Sequence, residues 1–322
     1  MTRKYAAIDI GTNTLRLLIA GMDNDRIIPI VYDRSITRLG GGYDQMTGID
    51  PASAERTINV LAEFKRQILS NEAADVTAVA TSVVRRAANR EWFLGEALKK
   101  TGIVIEVISG DEEARLSLLG VLSVLTPGGC ARRMVIDIGG GSTEFILTDS
   151  PLPPRAWSME MGVVHLAERH LKSDPPLAHE VLRLEADISG TIEALKRLML
   201  DSGVDPSAYS KANNAQFVGT AGTITTLAAI DMNLTDYDRN RINNYKLSKE
   251  TIKAIYERLL AMNIKERSEM LSLEKGREDL IIPGAAITLC IMDSFGFDEV
   301  IVSDAGLLEG VILSKGGLID GR

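Results

Sequence analysis

The sequence predicts an α/β protein made of two domains that share one structural plan. Its 322 residues are enough for two domains of about 150 residues each. Residues 7–14 align without a gap onto residues 135–142, so the sequence repeats itself at an offset of 135 − 7 = 128 positions. Strand-like and helix-like patterns also alternate along the chain, which is typical of an α/β fold. A solenoid is excluded because its repeats span about 20–50 residues.

In the first half, the clearest helix is predicted over 51–70. Asp50 suits the N-cap position and Pro51 the first helical turn, as both residue types do in helices generally. Apolar residues then recur at the spacing of one helix face. The strands predicted here lie over 76–80 and 103–108, and the further helices over 81–89 and 111–122.

The second half begins after a break at 127–129, Pro-Gly-Gly, which sets the predicted domains as 1–128 and 129–322. After the second copy of the repeat, its predicted strands lie over 216–218 and 299–303. Its helices are predicted within 165–199 and over 224–230, 247–262, 265–272, 281–292 and 307–313, with a polar loop at 231–246. We expect the last helix to pack back on the first domain.

Composition and charge restrict the function. With 36 Lys and Arg against 44 Asp and Glu, the net charge is −8, which argues against duplex nucleic acid as a partner because phosphate contacts need a basic surface. The cysteines, Cys130 and Cys290, and the three histidines show no metal-ligand spacing. No apolar stretch reaches the ~20 residues of a membrane-spanning helix, and residues 1–4 do not start a signal peptide. We therefore predict a soluble, cytoplasmic protein without a membrane partner.

Each copy of the repeat predicts a β-hairpin with a glycine-rich turn. Asp9 and Asp137 end the first strand of each copy, and a glycine follows two residues later. Glycine lets backbone N–H groups converge on a phosphate, and hydroxyl side chains add donors. An Asp beside a phosphate suits Mg²⁺ or its waters, although either hairpin alone would also fit an ordinary turn. The candidate phosphate-binding residues are Gly11, Thr12, Asn13, Thr14, Gly139, Gly140, Gly141, Ser142 and Thr143.

Other segments contain residues that suggest a chemical role, although each of them also has an ordinary structural explanation. Gly219 and Gly222 precede a helix, whose N-terminus can bind an anion, but strand-to-helix connections often contain glycine. Acids at 111–113 suit a helix dipole, or one of them is a general base. Glu144 is either a surface residue or a metal ligand. Arginines donate paired hydrogen bonds to phosphate, although most helical arginines are surface residues; those near the site would be Arg16, Arg38, Arg85 and Arg86.

Taken together, these motifs resemble the exopolyphosphatase and guanosine pentaphosphate phosphohydrolase (Ppx/GppA) family, which belongs to the superfamily of actin and the sugar kinases. The pairing of E-E-A-R at 112–115 with D-I-G-G-G-S-T-E at 137–144 is the most specific part of the resemblance. The similar segments cover nearly the whole chain and lie at 9–16, 80–89, 109–115, 136–144, 219–223, 276–286 and 303–310.

The resemblance implies two actin-like (ribonuclease H-like) domains, each a mixed sheet flanked by helices, that face one another across a cleft. It implies hydrolytic release of terminal orthophosphate from inorganic polyphosphate. Glu113 would deprotonate the attacking water and Arg85 would grip the terminal phosphate. The other implied site residues are Arg16, Gly219, Gly222 and Arg277 for phosphate, and Asp9, Asp137 and Glu144 for Mg²⁺ or another divalent cation.

The sequence leaves the substrate open. The same chemistry would serve guanosine pentaphosphate (pppGpp), an alarmone of the stringent response; an actin-fold small-molecule kinase or a noncatalytic alarmone-binding module is less favoured. His165, Ala305 and Leu308 stand where the family often has basic residues. Together with the acidic net charge, their neutral side chains favour short chains or a nucleotide polyphosphate over a long polymer. A homodimer is compatible with the sequence.

Overall fold

The computed structural model describes residues 3–23, 26–126 and 130–316. They form two compact units: unit 1 takes its described residues from Met1–Ser123 and Ala305–Arg322, and unit 2 takes its own from Val124–Asp304. The predicted boundary between 128 and 129 lies outside the described residues. Within the described part of the chain, every helix is too short or too polar to span a bilayer.

Each unit is built on one mixed sheet. The strands of unit 1 are β1 (Lys4–Ile10), β2 (Thr14–Asp23), β3 (Arg26–Ile36), β4 (Asp75–Ala80) and β5 (Ile105–Val107). The strands of unit 2 are β6 (Arg132–Ile138), β7 (Thr143–Asp149), β8 (Leu152–Met159), β9 (Gln216–Thr220), β10 (Lys246–Ser248) and β11 (Glu299–Val302). The spatial orders are β3-β2-β1-β4-β5 and β10-β11-β9-β6-β7-β8.

The two sheets share a plan that the repeat predicted. In unit 1, β1 and β2 form an antiparallel hairpin, and β4 pairs with β1 in parallel. In unit 2, β6 and β7 form the equivalent hairpin, and β9 pairs with β6 in parallel. Both predicted hairpins are therefore confirmed, and each has a third antiparallel strand, β3 or β8, on its outer side.

Helices connect the strands and cover the sheets. Helices α1 to α4 and α12 belong to unit 1, and the others belong to unit 2. Their bounds are α1 (Pro51–Ser70), α2 (Ser82–Arg86), α3 (Arg90–Thr101), α4 (Gly110–Val124), α5 (Val163–His170), α6 (Ala178–Asp201), α7 (Ala221–Asp231), α8 (Arg239–Ile242), α9 (Lys249–Leu260), α10 (Ile264–Ser268), α11 (Ile281–Phe295) and α12 (Leu307–Lys315).

Helices lie on both faces of the unit 1 sheet because side chains of a strand alternate between faces. Ile8 of β1 packs in one core cluster with Leu61 and Phe64 of α1. Its neighbour Ala7 packs in another cluster with Leu308 of α12. The helix predicted over 51–70 is confirmed, and the Asp50 side chain accepts a hydrogen bond from the backbone N–H of Ser53 at 2.9 Å.

Helix α12 approaches α4 so closely that two glycines are required. A Cβ atom added to Gly310 would lie 1.8 Å from the carbonyl oxygen of Leu116, and one added to Gly120 would lie 1.8 Å from that of Gly306. Backbone atoms stand in the way in both cases, so neither contact can be relieved by rotating a side chain. This packing ties the C-terminal segment of the chain to the sheet of unit 1.

Substituting Gly310 by alanine is expected to destabilise the protein by at least about 2 kcal/mol, because overpacking a close contact forces the backbone apart. Gly95, in the middle of α3, has no atom within 4 Å of its would-be Cβ. Gly95→Ala is the matched control and should stabilise by up to ~1 kcal/mol, since alanine favours a helix more than glycine does. Urea unfolding measures both, and a neutral Gly310→Ala variant would contradict the packing.

Three strands were not predicted from the sequence: the short strand β10 and the longer strands β3 and β8. Pro29 interrupts β3, and Pro153 and Pro154 interrupt β8, so neither segment shows an uninterrupted strand pattern. Proline lacks the N–H that a central strand needs and is tolerated on edge strands. Both β3 and β8 are edge strands of their sheets, which explains why the prolines do not exclude them.

Other predictions were wrong at element boundaries. The helix predicted over 81–89 ends at Arg86, because Ala87 takes an extended conformation, and α3 then follows. The helix predicted from 247 begins at Lys249, because β10 pairs with β11 first. The region 231–246, predicted as a loop, contains the short helix α8.

Candidate active site

The first hairpin carries a buried ion pair beside its glycine turn. Asp9 of β1 lies opposite Arg16 of β2 in the register of the sheet. The Oδ2 atom of Asp9 accepts hydrogen bonds from Nε of Arg16 at 2.8 Å and from its Nη2 at 2.6 Å. Asp9 is only 3% exposed, and its other oxygen, Oδ1, is buried without a hydrogen-bond partner. A cation or an ordered water would give this oxygen a partner.

The turn of this hairpin is closed by its own backbone. The N–H of Gly11 donates to the carbonyl oxygen of Thr14 at 3.1 Å. A Cβ at Gly11 would lie 3.0 Å from that same oxygen, so glycine is needed for the shape of the turn. Thr12 and Asn13, between them, are buried. Gly11 therefore shapes the turn with an N–H already in use, and donors for a phosphate would come from the residues after it.

The second hairpin repeats this turn in unit 2. The N–H of Gly139 donates to the carbonyl oxygen of Ser142 at 2.9 Å. Thr143 donates from its hydroxyl to the carbonyl oxygen of Met161, which fixes the start of β7. Behind the turn, a Cβ at Gly162 would come within 2.4 Å of the backbone of Gly140 and Gly141. The backbone that follows β8 therefore holds this turn from one side.

The buried acids of the second hairpin differ from those of the first. Asp137 lies opposite Glu144 in the register of β6 and β7, at the positions that Asp9 and Arg16 occupy in unit 1. Glu144 is 1% exposed, and its Oε1 atom accepts hydrogen bonds from the hydroxyls of Ser142 at 2.8 Å and Ser158 at 2.7 Å. Two carboxylates at opposed positions repel one another, and a divalent cation would relieve that repulsion.

The donor set of this hairpin fits Mg²⁺. Among residues 3–23, 26–126 and 130–316, no group of three or more His, Cys, Asp and Glu forms a metal-binding cluster. Mg²⁺ does not need one, since it is usually held by one or two carboxylates together with waters and substrate phosphates. Asp137 and Glu144 supply such a pair. In unit 1, Arg16 already pairs with the Oδ2 atom of Asp9. A metal would therefore be bound by the other oxygen of Asp9, Oδ1.

Glu113 and Arg85 meet in unit 1 although 28 positions separate them in the chain. The Nη1 atom of Arg85 donates to Oε2 of Glu113 at 3.0 Å and to the carbonyl oxygen of Ile108 at 2.9 Å. Arg85 lies in the last turn of α2, and Glu113 lies in the first turn of α4. Both side chains are largely shielded from solvent, so the pair places a carboxylate and a guanidinium together in a protected setting.

Glu112, the acid next to Glu113 in the chain, lies in a different environment. Glu112 forms an ion pair with Arg115 one turn along α4, at 2.7 Å between Oε2 and Nε. This hydrogen bond, with the positive charge of Arg115, lowers the pKa of Glu112. Asp111 is exposed and Glu112 is half-exposed, whereas Glu113 is buried. Of the acids at 111–113, only Glu113 therefore has the burial expected of a catalytic group.

The third glycine turn connects β9 to α7 in unit 2. Ala221 begins the helix with φ +67°, a left-handed conformation that is unusual for alanine and is often found at functional sites. The guanidinium of Arg277 lies against Gly222, within 2.3 Å of where a Cβ would be. Arg277 also forms an ion pair with Glu274. The structure thus brings Arg277 to the N-terminus of α7, as an anion site would require.

Some features of these sites were missed from the sequence. Ser158 comes from β8, a strand that was not predicted, and the ion pair of Arg277 with Glu274 joins residues that carried no signal of contact. A third segment was also missed: the run Gly40, Gly41 and Gly42 follows β3, and its first glycine packs against the turn of the first hairpin. The glycine run was the signal that could have indicated it.

The positions that depart from the family pattern are explained in part. Ala305 is fully buried and Leu308 is 2% exposed, and Leu308 belongs to the apolar cluster under α12. Neutral side chains at these positions suit that apolar environment. His165 is half-buried in α5.

The fold and these hairpins define a protein of the actin-like class. Residues 18–317 match the family model of the Ppx/GppA phosphatase family, and the chain belongs to this family. The predicted family, the α/β fold with two mixed sheets flanked by helices, and the prediction of a hydrolytic enzyme are confirmed. The roles assigned to individual residues remain predictions.

Relatives match over nearly the full chain. Exopolyphosphatase 2 of Mycobacterium tuberculosis is 34% identical over 329 aligned residues, which cover 98% of this chain and 99% of that protein. The solved structure of the Ppx/GppA enzyme of Aquifex aeolicus has a TM-score of 0.78 and 34% sequence identity to this chain. The match covers 98% of this chain and 100% of the Aquifex chain. An exopolyphosphatase-like protein reaches a TM-score of 0.87 at 31% identity, covering 97% of this chain and 98% of its own.

Proposed function

We propose that this protein is a metal-assisted exopolyphosphatase that releases terminal orthophosphate from inorganic polyphosphate. The observation that carries the proposal is the shielded pair of Glu113 and Arg85, whose Oε2 and Nη1 atoms lie 3.0 Å apart. Water attacking a terminal phosphate needs a base for its proton and positive charge at the phosphoryl oxygens. Phosphoryl transfer depends on such positioning and charge stabilisation more than on covalent catalysis.

In this mechanism, Glu113 is the general base and Arg85 binds the terminal phosphate. As the water oxygen bonds to the terminal phosphorus, the carboxylate takes the water proton, and the bond from that phosphorus to the bridging oxygen breaks. The shortened chain leaves with the electrons of that bond. The hydrogen bond from Arg85 orients the carboxylate, and substrate phosphate would draw the guanidinium toward itself.

Asp137 and Glu144 are proposed to hold Mg²⁺ or another divalent cation. When bound, the cation would neutralise negative charge on the phosphoryl oxygens. The hydroxyls of Ser142 and Ser158 orient the Glu144 carboxylate, and hydrogen bonds that orient a metal ligand strengthen metal binding generally. Asp9 contributes through its buried Oδ1 atom. The turn residues at 12–14 and 140–143, with Arg16, Gly219, Gly222 and Arg277, are proposed to bind phosphate groups.

Polyphosphate is favoured as the substrate because the match to Exopolyphosphatase 2 covers 98% of this chain. Guanosine pentaphosphate presents the same terminal phosphoanhydride and is the alternative substrate. The test is a phosphate-release assay with tripolyphosphate, medium-chain polyphosphate, long-chain polyphosphate and guanosine pentaphosphate in the presence of Mg²⁺. We expect the highest kcat/KM with short polyphosphate. A higher kcat/KM with guanosine pentaphosphate would identify the nucleotide as the substrate, and no release from any of them would reject the proposal.

Removal of divalent metal is expected to abolish phosphate release. Metal ions stabilise the charge of a phosphoryl transition state by several kcal/mol, which corresponds to a loss of at least about 100-fold. EDTA should stop the reaction, and excess Mg²⁺ should restore it. Full activity after dialysis against EDTA would contradict the role proposed for Asp137 and Glu144.

A further inference from the structure

We infer that Asn89 is a positioning residue for Arg85: its side-chain amide fixes the corner between α2 and α3, residues 87–89, that follows this arginine. The inference rests on the proposed function, in which Arg85 binds the terminal phosphate, and adds to it a residue that acts through Arg85. Asn89 ends the segment 80–89 of the family resemblance, but the proposed mechanism does not use it. It lies three residues beyond the end of α2 and immediately before α3.

The Asn89 side chain binds the backbone of Ile49 with both of its polar groups. Its Oδ1 atom accepts from the N–H of Ile49 at 2.8 Å, and its Nδ2 atom donates to the carbonyl oxygen of Ile49 at 2.9 Å. Among neutral side chains, the primary amide of Asn or Gln offers an acceptor and a donor side by side. The paired bonds therefore fix the direction of the Asn89 side chain as well as its distance from Ile49.

Ile49 is itself a fixed point of unit 1. Its side chain is 1% exposed and lies in the core cluster that contains Leu61 and Phe64 of α1. The residue before it, Gly48, has φ +87°, and a Cβ there would lie 2.1 Å from Oδ1 of Asn89 and 3.0 Å from its backbone nitrogen. Glycine therefore allows the chain to pass this close to the corner, and the partner of Asn89 cannot move without disturbing the core.

Helix α2 depends on such external contacts because it is short. It contains five residues, and no side chain caps its N-terminus. Isolated helices shorter than about 12 residues are marginal in water, so the surroundings of α2 set its direction. Val83 and Val84 are buried in the core, whereas Arg85 lies in the last turn. Beyond that turn, the corner has one small buried side chain, Ala87, and the paired hydrogen bonds of Asn89.

The loop that carries Ile49, residues 40–49, also connects this corner to the turn of the first hairpin. The hydroxyl of Tyr43 donates to the carbonyl oxygen of Arg86 at 3.2 Å. The N–H of Tyr43 donates to the carbonyl oxygen of Gly40 at 3.2 Å, and the N–H of Gly40 donates to that of Thr12 at 2.7 Å. The loop is therefore bound to the turn at one end and to the corner at the other.

Loss of the Asn89 bonds is expected to misplace the guanidinium of Arg85 without removing it. The Nη1 atom of Arg85 donates to Oε2 of Glu113 at 3.0 Å and to the carbonyl oxygen of Ile108 at 2.9 Å. A shift of α2 would therefore disturb the base as well as the phosphate contact. A displacement on the order of 1 Å at catalytic groups can lower a rate about 100-fold.

A double-mutant cycle tests this role. We would measure kcat for orthophosphate release from tripolyphosphate with Mg²⁺, together with the melting temperature, in the wild type, Asn89→Ala, Arg85→Ala and the double variant. We expect Asn89→Ala to lower kcat about 10-fold or more when Arg85 is present and less than about twofold when it is absent, because nothing then remains to be positioned. The melting temperature should fall equally in both backgrounds, since the lost hydrogen bonds are the same.

Asn71→Ala is the matched control. The Nδ2 atom of Asn71 donates to the carbonyl oxygen of Gln67 at 2.9 Å, and its own carbonyl oxygen accepts from Lys4, at the other end of β1 from the glycine turn. This variant should lose thermal stability and keep the kcat of the wild type. If Asn89→Ala does not fold, Asn89→Asp replaces it, because Asp keeps the shape and the bond from the N–H of Ile49 but loses the donor.

Equal losses of kcat in both backgrounds, or a kcat for Asn89→Ala within about twofold of the wild type, would overturn this inference and leave the proposed function standing. If the wild type releases no phosphate, the proposed function fails, and calorimetric titration with tripolyphosphate replaces kcat in the same cycle. The same titration decides if Arg85→Ala is too slow to assay. Binding weakened about 10-fold by Asn89→Ala only when Arg85 is present would support the inference. Equal weakening in both backgrounds, unchanged binding, or no binding by the wild type would overturn it.

Discussion

Replacing Glu113 by glutamine is expected to lower kcat for phosphate release about 10²- to 10⁴-fold, the usual contribution of a general base. Glutamine preserves the size of the side chain but cannot take a proton from the attacking water. KM should change little, because the substituted residue is not expected to contact the substrate in its ground state. The measurement is steady-state release of orthophosphate from tripolyphosphate with Mg²⁺, with thermal unfolding to show that the variant is folded.

The neighbouring acid supplies a matched control for this prediction. Glu112 carries the same charge one residue earlier, but it pairs with Arg115 near the surface. Glu112→Gln should therefore retain wild-type turnover. Near-normal turnover by Glu113→Gln would contradict the role of Glu113 as the base. Equal losses of turnover in both variants would indicate that the total negative charge at the start of α4 matters, and not the position of the Glu113 carboxylate.

Replacing Asp137 by asparagine is expected to reduce turnover on the order of 100-fold or more, because charge stabilisation by a metal is worth several kcal/mol. A binding measurement separates an effect on metal binding from an effect on the chemical step. Mg²⁺ should raise the melting temperature of the wild type, since any ligand that binds only the folded state stabilises it. Asp137→Asn should lose most of that Mg²⁺-dependent rise.

The same hairpin contains the control residue. Asp149 lies at the opposite end of the β6–β7 pair, where its carboxylate pairs with Arg132 at 2.9 Å. Asp149→Asn should keep both the turnover and the melting-temperature response to Mg²⁺. If Asp137→Asn responded to Mg²⁺ as the wild type does, the metal would have to be held elsewhere.

The parts of the fold that could be predicted from the sequence were those fixed by local patterns. The helix over 51–70 follows from its cap and its apolar spacing, and α1 has those bounds. The paired hairpins follow from the repeat, since Asp9 and Asp137 recur with the same glycine turn. Strand β3 could not be predicted in this way, because its edge position, which tolerates Pro29, is set by the order of the sheet.

The residue types of the candidate site could be predicted from the sequence, but the contacts that pair these residues could be predicted less well. The offset of 128 relates Arg16 to Glu144, yet only the antiparallel register shows that each faces the aspartate of its own hairpin. The contact of Arg85 with Glu113 joins α2 to the start of α4 across 28 positions of the chain, and no local pattern encodes it. Long-range contacts of this kind depend on how whole elements pack, and sequence spacing carries little information about that.

In the proposed reaction, water attacks the terminal phosphorus of a polyphosphate chain, and isotope labelling tests this attack most directly. The wild-type protein would be incubated with tripolyphosphate and Mg²⁺ in H₂¹⁸O, and the products analysed by mass spectrometry at low conversion. Attack at the terminal phosphorus predicts orthophosphate that carries a single ¹⁸O atom from the solvent, together with unlabelled diphosphate. Label in the diphosphate, or no release of orthophosphate, would contradict it.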